Sequence, residues 1–220
     1  FNSDATDDDG SCYYDINPGV LANPDAICFA EDGLLTFEES PSGGSNYSYQ
    51  WQFSLDGSEF NNLSENATDI SYSSIDNEYT GTIGGTIYYK CIVTDSMCPD
   101  QFSTNTISID VLPELISGVI LEPTEPLCYG GNIIIPFSDL PSGSDDDIND
   151  SDDYNYEWQT SFTNDEASTW TTVQSNDFNS LSSPELILQN QVESAYYRCV
   201  VTSIYCNDSD TSNTVELEVL

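Results

Sequence analysis

The chain of 220 residues has 39 acidic and 2 basic side chains, contains no histidine, and has a formal net charge of −37. It has no basic surface to neutralise phosphates, which argues against nucleic acids and anionic membranes as partners. The lack of histidine removes the commonest general base and the mixed Cys/His zinc sites.

A charge of this size needs screening for the chain to stay compact. Salt shortens the Debye length from about 8 Å at physiological strength to about 3 Å at 1 M, so we expect an extracellular, salty setting. The 38% hydrophobic and 12% aromatic content predicts a folded chain. No apolar run is long enough to span a bilayer, so membrane insertion is not expected. The start lacks a signal peptide, so we expect a mature or excised piece.

Residues 1–15 form an acidic lead-in whose run DATDDDG could offer carboxylates to Ca²⁺. Ala5 breaks the D-x-D-x-D-G pattern, which favours a solvated linker instead. A second acidic run, within residues 145–153, could also wrap a cation, although a charged loop is again the favoured alternative. Calcium is the one cofactor that the sequence suggests. The candidate ligands are Asp4, Asp7, Asp9, Asp145, Asp147 and Asp150.

The chain contains one sequence pattern twice. YYKCIVTDSMC at 88–98 is repeated as YYRCVVTSIYC at 196–206, and YQWQ at 49–52 as YEWQ at 156–159. A period of about 107 residues fits a small self-sufficient domain rather than a solenoid unit. The sequence therefore predicts two tandem modules, 16–112 and 113–220.

Each module alternates apolar and polar residues in stretches such as YSYQWQFS, TIYYKCIVT and TISIDVL, separated by Gly, Asn, Asp, Ser and Pro. No segment has a helical period. About seven short strands around a central Trp and a late Tyr-x-Cys strand predict an all-β, two-sheet sandwich.

These motifs resemble the immunoglobulin-like repeats of large Bacteroidota surface proteins exported by the type IX secretion route. The matching pattern is a Cys before the second strand, YQWQ or YEWQ, an aromatic soon after, YYxC, a further Cys and a closing SNTVxLxV strand. The resemblance implies two tandem immunoglobulin-like β-sandwich domains preceded by a short acidic segment. It also implies an adhesin, gliding or filament-type protein of many modules.

The chain departs from antibody domains at the cross-sheet disulfide. Phe37 stands where strand B would carry a cysteine, and Phe137 is its counterpart. Each copy offers three cysteines instead, and six cysteines allow about 15 pairings. We favour Cys28 with Cys98 and Cys128 with Cys206, and keep Cys28 with Cys91 as a rival. Residues 4–12, which end at Cys12, resemble the end of a calcium repeat in which the last cysteine pairs with a cysteine upstream. The expected core residues are Phe37, Trp51, Cys91, Phe137, Trp158 and Cys199.

Trp170 and Phe60 follow the central Trp strand and could form a sugar-stacking surface, although packing is the commoner role. Lys90 and Arg198 hold the same place in the two copies, which indicates a structural role. No nucleophile has a histidine partner, so we expect no enzyme.

The leading hypothesis is a structural segment of a secreted or cell-surface bacterial fibre that contacts identical chains and serves adhesion, gliding or cell capture. The alternative is a carbohydrate- or calcium-dependent ligand-binding module of an adhesin or exoenzyme, with a glycan or cell-surface ligand as its partner.

Overall fold

The computed structural model describes residues 15–63, 67–73, 84–96, 98–144, 153–164, 169–176 and 184–220, without the side chains of Cys98, Pro99 and 174–176. The chain forms two compact units, Phe1–Leu112 and Pro113–Leu220, here called module 1 and module 2. Among the described residues, no helix is long and apolar enough to cross a bilayer.

Module 1 is built of antiparallel strands in a large and a small sheet. The large sheet has the order β4-β3-β5-β6, and β7 also pairs with β5. The small sheet pairs β1 with β2, and Leu35 bridges Tyr72 beside it. The strands are β1 (Val20–Leu21), β2 (Phe37–Glu39), β3 (Tyr47–Ser54), β4 (Asn61–Asn62), β5 (Gly85–Asp95), β6 (Cys98–Ser103) and β7 (Ile107–Val111).

Module 2 repeats this plan. Its large sheet has the order β12-β11-β14-β15, with β16 also paired to β14, while β8 pairs with β10 and β9 with β13. The strands are β8 (Val119–Ile120), β9 (Gly131–Ile135), β10 (Phe137–Asp139), β11 (Tyr154–Ser161), β12 (Thr171–Asn176), β13 (Leu186–Gln191), β14 (Ala195–Ser203), β15 (Ser209–Thr211) and β16 (Val215–Leu217).

Strict alternation along the longest strand of each large sheet creates the core. In β5 every second side chain from Ile87 to Asp95 is buried, and β14 alternates in the same way from Ala195 to Ser203. Because strand side chains point alternately to opposite faces, one face of each large sheet is apolar. Trp51 and Trp158, both 0% exposed, lie in the centres of the two cores.

Two polar side chains after β6 bond backbone donors of module 1, Thr104 within the large sheet and Asn105 across to the small sheet. The Thr104 hydroxyl accepts the backbone N–H of Cys91 at 2.9 Å, and the Asn105 amide oxygen accepts that of Leu21 in β1 at 2.7 Å. These bonds satisfy donors that the strands leave unpaired. Ser212 and Asn213 make the equivalent bonds in module 2, to Cys199 at 2.9 Å and Ile120 at 2.6 Å.

Candidate functional site

Both basic residues of the chain lie over aromatic rings on the outer faces of the large sheets. The Lys90 Nζ is 4.2 Å from the centroid of the Phe60 ring, and the Arg198 Cζ is 4.1 Å from that of Trp170. Each aromatic residue directly precedes the edge strand, β4 or β12. Such distances allow the ring quadrupole to attract the cation. We call these two pairs the cation–aromatic clamps.

A glutamine stands opposite each cation on the middle strand, Gln52 opposite Lys90 and Gln159 opposite Arg198. The Arg198 Nε donates to the Gln159 Oε1 at 2.9 Å, and the Gln159 amide donates to the Glu157 carboxylate at 3.0 Å. Hydrogen bonds to Glu157 from Gln159 and from a threonine hydroxyl lower the pKa of that carboxyl. The clamp of module 2 is therefore part of a polar network.

The clamps limit what the predicted stacking residues can bind. The cation of its own module already covers one face of the Trp170 ring and one face of the Phe60 ring. A sugar stacking on that face would have to displace a bound cation, at a cost of about 0.5–1 kcal/mol at an exposed site. Each of the two rings therefore contacts a cation within its own module, which favours a structural role.

Aromatic packing occupies the place of the usual cross-sheet disulfide. The Phe37 and Trp51 ring centroids are 5.8 Å apart, and those of Phe137 and Trp158 are 5.6 Å apart. Cys91 and Cys199 are free thiols that are fully buried in the two cores. Burial raises the pKa of each thiol to about 12. Neither can act as a nucleophile at neutral pH, because the thiolate is the reactive form.

The predicted pairing of Cys128 with Cys206 is wrong. Cys128 is an exposed free thiol, whereas Cys206 is disulfide-bonded. The physical reason is their positions relative to β14, whose first residue pairs with Leu217. Leu127, next to Cys128, bonds Glu218 and Leu220 at that end of β14, while Cys206 follows the other end. A strand of 9 residues separates them by roughly 25 Å, and a disulfide needs Cα atoms within about 7 Å.

The same geometry argues against the pairing of Cys28 with Cys98. Cys28 is disulfide-bonded and follows Ile27, which bridges Val111 opposite Gly85 at the start of β5. Cys98 pairs with Asp95 at the far end of that strand. The strand has 11 residues, so roughly 33 Å lies between the two positions. The rival pairing of Cys28 with Cys91 is wrong too, because Cys91 is a free thiol.

All six candidate calcium ligands lie outside the described residues. They are Asp4, Asp7, Asp9, Asp145, Asp147 and Asp150. Within the part of the chain that the structure describes, no three Cys, Asp or Glu residues form a group that could hold a metal ion.

Sequence reasoning missed an apolar sheet face in module 2. Ile134 of β9 and Ile187 of β13 pair with each other across the two strands and are 54% and 55% exposed. Leu121, 51% exposed, follows β8 beside Ile134 and lines a groove with Pro123 and Pro136, at whose edge Glu122 and Glu125 also lie. The strands β9 (GNIII) and β13 (LILQNQ) contain no acidic residue. We call Leu121, Ile134 and Ile187 the apolar face.

The sequence of β9 could have indicated this face. Side chains along a strand point alternately to opposite faces, so at least one of three successive isoleucines must point away from the core. Two outward isoleucines become neighbours only through the strand register. That register depends on tertiary pairing between residues more than 50 positions apart, which periodicity does not reveal.

One known protein family matches the chain twice, once in each module. A family model described as a domain of unknown function (DUF8696) matches residues 17–113 and again residues 118–220. No protein with a curated description matches the chain.

Among solved structures, a marsupial T cell receptor is 11% identical over 91% of this chain and 72% of its own, with a TM-score of 0.54. That likeness supports an immunoglobulin-like fold for the two modules. The chicken CNTN1 FN1–FN3 domains are 13% identical (91% of this chain, 66% of that chain, TM-score 0.38). The Sidekick-1 immunoglobulin domains 1–4 are 12% identical (94% and 48%, TM-score 0.40). The chain thus spans 66% and 48% of these two longer structures.

Proposed function

The chain belongs to the DUF8696 family, with one copy in each module, and from that premise we propose that it is a structural, self-associating segment of a secreted or cell-surface bacterial fibre. Disulfide-bonded Cys28 and Cys206 support an oxidising, extracellular setting. The resemblance to type IX-secreted repeats supports adhesion, gliding or cell capture as the task of the fibre.

The apolar face is the observation that carries self-association. Two half-exposed isoleucines side by side and a nearby leucine form a contiguous apolar surface on a chain with a net charge of −37. Contiguous exposed apolar surface on a soluble domain marks interaction sites. Covering it with a partner would remove apolar area from water at about 25 cal/mol per Å².

A second copy of this chain is the occupant that the charges favour. Lys90 and Arg198 are both held by rings of their own modules, so the chain has no cation to spare for an anionic partner. Two copies repel each other at long range, and Glu122 and Glu125 line the groove beside Leu121, but β9 and β13 themselves contain no carboxylate. Closed symmetric pairs through the same patch on both copies are the commonest oligomers.

Sedimentation velocity across a salt series tests this function. We expect the 220-residue chain to be mainly monomeric at low salt and to associate at about 1 M NaCl, where the Debye length falls to about 3 Å. The double variant Ile134→Ser/Ile187→Ser should weaken association by about tenfold to a hundredfold, since each isoleucine counts twice in a symmetric pair. Val173→Ser, an exposed apolar residue on β12, is the matched control and should associate like the parent chain.

A chain that stays monomeric at every salt concentration would overturn self-association. The carbohydrate-binding alternative would then be favoured by glycan-array binding that Trp170→Ala abolishes and Val173→Ser leaves intact.

A further inference from the structure

Three further exposed apolar side chains of module 2 adjoin the apolar face. Val119 lies on β8 two residues before Leu121, and Leu140 directly follows β10, the strand that pairs with β8. Ile116 extends this pairing through a bridge to the chain beyond Leu140. The Leu121 N–H donates to the carbonyl of Pro136, between β9 and β10, at 2.9 Å, so the two sets are neighbours. We call Ile116, Val119 and Leu140 the adjoining patch.

The adjoining patch and the apolar face point to the same side of module 2. Ile120 of β8 and Ile135 of β9 are both buried in the module 2 core. Side chains along a strand point alternately to opposite faces. Val119 and Leu121, on either side of Ile120, therefore point away from the core, and so does Ile134, next to Ile135.

Module 1 has polar residues where module 2 has the adjoining patch. Asn17 makes the bridge in module 1 that Ile116 makes in module 2. Ser40 follows β2 in the same way as Leu140 follows β10. Ile116 is 59% exposed and Leu140 is 61% exposed, so these differences lie on the surface. The adjoining patch is therefore a property of module 2 and not of both modules.

The charges of the two modules differ at the same place. Strand β2 contains Glu38 and Glu39, both exposed, whereas β10 contains Ser138 and Asp139 at these positions. Strands β8, β9 and β13 contain no acidic residue. A second negative chain is therefore repelled less by β10 of module 2 than by β2 of module 1.

We propose that the apolar face and the adjoining patch together form a contact between module 2 of one copy and module 2 of a second copy, and that association stops at two chains. This inference deepens the proposed function and rests on it. A symmetric pair sets the apolar side chains of one copy against those of the other. A contact between module 2 and module 1 would instead bury Asn17, Ser40 and the glutamates of β2 against apolar side chains, which is costly.

The contact closes on itself because both partners use the same surface. An isologous pair leaves neither copy with a free contact surface, whereas a head-to-tail contact would leave one at each end and allow growth. A fibre would then extend along the polypeptide, and the pair would join two polypeptides side by side. Glu122 and Glu125 lie beside Leu121, so their repulsion adds to the need for salt.

Sedimentation velocity of the 220-residue chain over a concentration series in about 1 M NaCl tests this inference. We expect the measured mass to level off at that of two chains. The variant Ile116→Asn/Leu140→Ser gives module 2 the residues of module 1. It should weaken pairing by about tenfold to a hundredfold, because each lost side chain counts twice in a symmetric pair.

Leu34→Ser is the matched control in module 1. Leu34 stands three residues before β2, as Ile134 stands three residues before β10, and it is 57% exposed. Pairing should be unchanged in this variant, because module 1 takes no part in the contact. Urea unfolding of each variant separates a loss of pairing from a loss of fold.

Three results would overturn the inference: assemblies larger than two chains, weakening of the pair by Leu34→Ser, or full pairing of Ile116→Asn/Leu140→Ser. Any of these, together with association that Ile134→Ser/Ile187→Ser weakens, would refute only the closed pair through module 2 and leave self-association standing. Monomers at every salt concentration would refute self-association itself, and the pair with it.

Discussion

The guanidinium carbon of Arg198 lies 4.1 Å from the centroid of the Trp170 ring, and its Nε donates to Gln159. Lys90 and Phe60 repeat the arrangement at 4.2 Å in module 1. The 2 basic residues of a chain with 39 acidic ones are thus both used inside their own modules. All other charged side chains of the chain are acidic.

Removing the clamp cations should lower stability. We expect Arg198→Met to reduce the free energy of unfolding by about 1–2 kcal/mol, from the lost cation–π contact and the lost hydrogen bond to Gln159. Lys90→Met, which loses only the ring contact, should cost about 0.5–1 kcal/mol. Urea unfolding measures both. A double-mutant cycle of Arg198→Met with Trp170→Leu that gives no coupling would contradict the clamp.

The hydroxyls that accept buried backbone N–H groups of β5 and β14 should be needed for stability. Thr104→Val keeps the shape but leaves the backbone N–H of Cys91 unpaired in the core, which should cost about 1–3 kcal/mol. Ser212→Ala should act similarly on Cys199. Thr202→Val breaks an exposed hydroxyl pair with Ser209 and is the control, with an expected change below about 0.5 kcal/mol. Equal losses in all three variants would contradict this account.

Stability should fall in alkaline solution. Burial raises the pKa of Cys91 and Cys199 from 9.0 to about 12, so the folded state keeps protons that the unfolded state loses. The contribution of each thiol is complete below pH 9 and is lost as the pH rises towards 12. Cys91→Val and Cys199→Val should therefore flatten the decline of the midpoint temperature between these pH values. A decline of the same slope in both variants would show that the thiols are not responsible.

Thiol labelling should distinguish the exposed free cysteine from the two buried ones among the described residues. Native maleimide treatment is expected to modify the exposed Cys128 and to spare the buried Cys91 and Cys199, which react only after unfolding in urea. Peptide mapping by mass spectrometry gives the adduct at each site. Rapid native labelling of either buried thiol would mean that its core opens frequently.

Several features of the fold followed from the sequence because they depend on local alternation. YQWQ and YEWQ indicated a central strand, and Trp51 and Trp158 are indeed the buried centres of the two cores. Phe37 and Phe137, which replace the strand B cysteine of antibody domains, pack against these two tryptophans. A two-residue period is sufficient to assign inner and outer faces.

The disulfides and the apolar face did not follow from the sequence. The predicted pairing required Cys128 and Cys206 to lie close together, whereas they lie near opposite ends of β14. The pairing of Ile134 with Ile187 likewise depends on the register of distant strands. The cation–aromatic clamps were not predicted either. Trp170 precedes β12 and Arg198 lies on β14, and they come into contact only because both strands flank β11.

Electron cryo-microscopy of the chain in about 1 M salt tests self-association most directly, because it locates the contact between copies. The account predicts particles or fibres in which Leu121, Ile134 and Ile187 of one copy are covered by the same residues of another. Monomers alone, or an assembly that leaves these three side chains in solvent, would contradict it.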